Sequence, residues 1–182
     1  MAYRKEKYSR YNSGESFNAD SMKFNSNESY QTLLKERTVY GGGGIIPDHF
    51  VPLDTTGTSA YFNKLIRKGI FNQFALSWVN KNREYLEKKY PNFDKFNSKF
   101  DTQNAVDELI EYAEAEGLEF KEDQYNKAKH VIHTRLKANI AQDLFNYKKF
   151  YQIINDLNNA LEKSLELLKD DKAFSKLAMN NN

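Results

Sequence analysis

His130 and His133 stand three residues apart in a stretch of helical pattern, so their imidazoles share one face. Two such histidines can hold a metal, but zinc asks for a third protein ligand, and no HExxH-type acid accompanies them. Glu122 and Asp123 lie two turns earlier, too far to complete a compact site. The run Gly41-Gly42-Gly43-Gly44 offers bare backbone N–H groups of the kind that cradle phosphates. No Lys-Ser/Thr follows it, and Pro47 and Pro52 forbid the helix that a dinucleotide site needs. A glycine turn or bulge that lets the backbone pass close to another element is the structural alternative. Glu114 with Glu116, and Asp170 with Asp171, pair carboxylates for general acid–base work. They fall on polar faces or near the end of the chain, where nothing tunes their proton affinity. There is no nucleophile elbow and no Ser-x-x-Lys. The residues therefore assign no catalytic, cofactor-binding or metal position.

The elements that carry these residues divide the chain in two. Residues 1–56 are polar, aromatic and turn-rich, and hold Pro47, Pro52 and the glycine run. Arg37-Thr38-Val39-Tyr40 and Phe50-Val51 look like strand ends, too short for an independent sheet. This part is expected to be an extended, partly β arm, the tail of a β-containing domain. Residues 57–182 read as helix almost throughout. Helices are predicted over 59–68, closed by Gly69, and over 71–89, with Phe71, Phe74, Ala75, Trp78, Tyr85 and Leu86 on one face. A third starts at Asp101 or Thr102 and ends at Gly117. Val106, Leu109, Ile110 and Ala113 face its core side, and Asp107, Glu108, Glu111 and Glu114 its opposite side. A fourth covers 121–145 with Tyr125, Ala128, Ile132, Leu136, Ile140 and Leu144 inward. Two more cover 148–157 and 159–169, with Asn158 between them, and the end at Met179 to Asn182 should fray. The fold class is mainly α: an irregular bundle of five or six helices after the arm.

Composition narrows the function. The net charge of +2 argues against a dedicated nucleic-acid binder. The absence of cysteine removes disulfides, thiolate metal sites and cysteine nucleophiles together. No apolar run reaches the roughly 18 residues of a membrane span, and the polar start has no signal-peptide core. Charge alternates by block, acidic over 107–123 and basic over 127–149. The blocks read as solvated helix faces or as an interdomain or homodimer contact. The basic, aromatic stretch from Lys127 to Tyr151 would suit nucleic acid or an acidic partner, but the adjacent acidic block weighs against both.

The stretch Arg37-Thr38-Val39-Tyr40-Gly41-Gly42-Gly43-Gly44-Ile45-Ile46-Pro47-Asp48, continuing from His49 to Thr56, resembles a known family. It is similar to the end of the catalytic core in carboxyl-terminal processing (tail-specific) serine peptidases, in versions from Bacteroidetes-type bacteria. There a Gly-Ile-x-Pro-Asp motif closes the core. Arg10 to Glu15 and Ala19-Asp20-Ser21 resemble the insertion that precedes it. The segment from Lys68 to Pro91, then Leu136 to Ala141 and Tyr151 to Asn155, resemble the helical C-terminal extension. The resemblance implies a parent that cleaves proteins near their C-termini in the periplasm or cell envelope with a Ser-Lys dyad. The dyad and a substrate-capturing PDZ domain precede the motif in that family, and no position here matches them. It therefore implies a non-catalytic C-terminal portion, inactive alone, with its own catalytic core and PDZ domain as partners and protein substrates reached through the parent. Asp48 reads as structural, a carboxylate capping neighbouring N–H groups. The rival expectation is a free-standing helical protein-interaction module.

Overall fold

The computed structural model describes residues 2–15, 17–21, 29–33, 36, 38–41 and 49–170. It is mainly helical, with eight α-helices and one short antiparallel pair of strands among the described residues. The chain divides into a unit Thr55–Asn158 and a second one formed by Met1–Asp54 and Asn159–Asn182.

The second unit opens with helix α1 (Ala2–Asn12), where the sequence reading expects an extended arm. What the pattern hides is the stop signal. Gly14 sits at φ 87°, its N–H reaches Tyr11 O and the Glu15 N–H reaches Arg10 O. That is a Schellman closure, which needs a residue tolerant of left-handed backbone. Arg10 Nε then bonds Glu15 Oε2 at 2.6 Å. Strands β1 (Ser29–Gln31) and β2 (Thr38–Tyr40) pair with Ser29 opposite Tyr40 and Gln31 opposite Thr38. Thr38-Val39-Tyr40 is thus a strand as expected, whereas Phe50 and Val51 are not. Helix α8 (Asn159–Lys169) lies in this unit, and none of its residues is buried. The glycine motif from Gly42 to Asp48 and the end beyond Asp170 lie outside the described residues.

The unit Thr55–Asn158 is built on six helices. In α2 (Ala60–Arg67) Ser59 caps the start, accepting from Phe62 N at 3.1 Å. Gly69, at φ 70°, ends it and begins α3 (Ile70–Lys89). One left-handed residue thus turns one helix into the next. Helix α3 buries Phe71, Phe74, Ala75, Trp78 and Leu86 as expected, and adds Ile70 and Val79. Tyr85 departs from expectation: it is 57% exposed, because Leu86 takes the inward position one residue on. Helix α4 (Phe93–Lys99) is absent from the sequence reading. Asn92 caps it by accepting from Lys95 N, and its seven residues are too few to show a period.

Helix α5 (Gln103–Ala115) ends in a second Schellman closure at Gly117, φ 74°, with Leu118 N–H on Ala113 O and Leu118 itself buried. Helix α6 (Glu122–Leu144) buries all six expected residues, plus Ala138, Asn139 and Ala141. It packs against α2, α3, α5 and α7 (Tyr147–Ile154), which Asn146 caps. Among the described residues of 57–182 the six expected helices are present, including α8, and α4 is added to them.

One aromatic cluster locks α4 to its neighbours. Phe96 is fully buried and stacks on Phe100 at 4.5 Å, with Tyr90 and Phe145 edge-on to it. Phe96→Ala is expected to lower unfolding free energy by about 3–5 kcal/mol, read from the urea midpoint at unchanged slope. Gly117→Ala is expected to cost about 1–2 kcal/mol although nothing lies within 4 Å of the added Cβ. The loss there is backbone strain alone, so Gly117→Asn should recover part of it.

Candidate functional site

The two histidines separate in the fold. His130 is exposed, whereas His133, one turn on, points into the seam between α6 and α5. Its Nδ1 lies 2.7 Å from Thr102 Oγ1 and its Nε2 lies 2.9 Å from the Tyr125 hydroxyl. Both ring nitrogens are engaged, so the ring is a structural bridge between the start of α5 and the buried side of α6. Thr102 precedes α5 but lends its hydroxyl to this bridge, and Asp101 caps instead, accepting from Gln103 N at 2.9 Å. Burial pushes the His133 pKa below 6.5, with Lys129 acting in the same direction and Asp101 against it. Among the described residues no group of three His, Asp or Glu could hold a metal ion.

The paired acids do not gather. Glu114, Glu116 and Asp170 are exposed, and Asp171 lies outside the described residues. Glu122 and Asp123 are exposed in the first turn of α6, where their charge suits the helix dipole. Gly41 follows β2 without regular structure. Glu108, expected on the solvent side, is half-buried and accepts from Trp78 Nε1 and Asn104 Nδ2, both at 3.1 Å. An indole N–H taken from water needs such an acceptor, and α5 supplies it.

The basic stretch is partly consumed by packing. Lys137 Nζ donates to Asn97 O at 2.7 Å and ties α6 to α4. Lys149 lies 4.2 Å over the Phe93 ring and donates to Gln152. The Arg135 guanidinium lies 5.0 Å over the Phe150 ring, its buried Nε without an acceptor, and burial lowers its pKa. Exposed Tyr147 and Tyr151 join hydroxyls beside it at 2.7 Å. Asn139, 2% exposed, donates its side-chain N–H to Asn72 and links α6 to α3.

Concavity appears elsewhere, in a place the sequence does not announce. A cleft of about 240 Å3 opens between α3, α4 and the start of α5. Trp78, Leu86, Tyr90 and Ala105 are buried and form its floor. Tyr85, Lys89, Lys99, Asp101 and Asn104 are exposed and form its rim. Lys89 Nζ donates to the Tyr85 hydroxyl at 2.6 Å and lies 5.1 Å over that ring and 5.4 Å over Tyr90. The bond to Tyr85 raises the Lys89 pKa. The signal in the sequence is the spacing of Tyr85 and Lys89, one turn apart on a helix. Expecting Tyr85 to point inward concealed it.

Residues 61–146 match a family of unknown function (DUF8443). No curated protein and no solved structure matches. The matched span runs from buried Tyr61 in α2 to Asn146, the cap of α7, and lies wholly within Thr55–Asn158.

The His133 bridge has a measurable pH signature. The unfolded chain takes up the imidazole proton near pH 6.5, and the folded chain takes it up lower. Below 6.5 the unfolded state therefore binds more protons, so this contribution to stability is complete above that pH and is lost as pH falls through the folded value. His133→Gln should flatten the fall of melting temperature between about pH 7.5 and 5 relative to the unsubstituted chain.

Proposed function

We propose that the chain is the non-catalytic C-terminal accessory region of a tail-specific serine endopeptidase. Its residues 1–56 are the arm that ends the protease core, and residues 57–182 are its helical C-terminal module. The observation that carries this reading is the self-contained core of Thr55–Asn158. Twenty-five buried apolar residues form one cluster there, and its polar side chains are spent on joining helices. The resemblance of residues 37–48 to the motif closing that family's core supplies the link to the peptidase. In this reading the parent cleaves proteins near their C-termini in the periplasm or cell envelope. The module supports the core, bounds access of substrate or mediates assembly, including a homodimer.

Purified chain is expected to leave unfolded, C-terminally tagged substrate intact. The product of the same gene, with the sequence encoded upstream of Met1, is expected to cleave it. Cleavage by the chain alone would sink the proposal. An upstream sequence without a Ser-Lys peptidase core would instead favour a free-standing interaction module.

A further inference from the structure

We propose that the cleft between α3, α4 and α5 binds a small apolar or aromatic group bearing a single carboxylate, a ligand independent of the peptidase reading. The floor sets the apolar half of that ligand. Trp78 is 8% exposed and Tyr90 4%, so these rings give the cleft a small apolar floor that shares the space about equally with polar surface. The indole N–H is already committed to Glu108, which leaves the Trp78 face rather than its polar edge for contact. A volume of about 240 Å3 takes one ring-sized group, which is smaller than the roughly 300–1,000 Å3 of drug-sized sites.

The rim sets the charge. Lys89 and Lys99 face Asp101 at the opening, while the Glu108 carboxylate beside the cleft is engaged by Trp78 Nε1 and Asn104 Nδ2. Asp101 is further occupied by the Gln103 N–H that it caps. Among the described residues neither lysine has a carboxylate partner, whereas Lys121 and Lys163 each pair with a glutamate. Lys89 is held in place without one: the Tyr85 hydroxyl and two ring faces fix its ammonium above the floor. An ammonium has three donors, and with Tyr85 and Tyr90 each taking one, the third stays free. An apolar body on the floor then places its carboxylate at Lys89, with Lys99 as the second cation. The ligand's source is either a free aromatic acid or the C-terminal residue of a peptide, which share this chemistry.

Trp78 is the single tryptophan of the chain, so its emission reports occupancy of the cleft. Titration of the full chain with hydrocinnamate is expected to give a saturable shift with a dissociation constant on the order of 1 mM. Hydrocinnamide, the uncharged analogue, is expected to bind about fivefold more weakly. Lys89→Met should abolish the difference between acid and amide while the amide still binds. Lys89 is fully exposed, so this variant keeps the fold, which far-ultraviolet circular dichroism checks. A short peptide ending in phenylalanine, with a free α-carboxylate, separates the sources. Saturation at lower concentration than hydrocinnamate identifies a chain terminus, and the reverse order identifies a free acid. Equal binding of acid and amide, or no saturable change with any of the three, overturns the proposal.

Discussion

Helix α6 has to bury more than one face, and the unit Thr55–Asn158 is arranged around that requirement. Ala138, Asn139, Ile140 and Ala141 are consecutive and all buried. At 3.6 residues per turn, four successive side chains point in nearly every direction. Such a segment must be surrounded, and α2, α3, α5 and α7 surround it. Small residues at Ala138 and Ala141 permit the close approach, since larger side chains would hold the neighbouring backbones apart. The aromatic cluster of Phe96, Phe100, Tyr90 and Phe145 closes the end of this arrangement where α4 meets α6 and α7.

The buried half of this central helix has few ways to do chemistry. Its polar side chains are used as ties. His133 reaches Thr102 and Tyr125, Asn139 reaches Asn72, and Lys137 reaches the backbone of α4. Polar groups removed from water need partners, and one on a neighbouring helix satisfies the group while fixing the angle between the two. Chemical opportunity is therefore displaced to the periphery, to the cleft beneath Lys89 and to the Arg135–Phe150 stack beside two exposed tyrosines.

The boundaries of this unit have a physical basis. Thr55–Asn158 gathers the buried apolar residues into one cluster, so its core closes without help from the residues on either side. The match to a family of unknown function falls inside the same limits. Strands β1 and β2 have no buried residue in either strand. Three residues a side bury too little to stabilise a hairpin alone.

The sequence by itself determined the helices of the larger unit and most of its interior. Periodicity over thirteen or more residues fixes an inward face, as in α5 and α6, and Gly69 and Gly117 mark breaks because left-handed backbone excludes most other residues. Short elements escaped, since α4 has no room for a period and α1 has no apolar face to display one. Only the tertiary structure decided that Tyr85 turns outward while Leu86 turns in, that Glu108 serves Trp78, and that Lys89 stands over a cleft. Each depends on which of two adjacent residues meets a neighbouring helix. That choice is made by packing between elements far apart in the chain, and local spacing does not encode it.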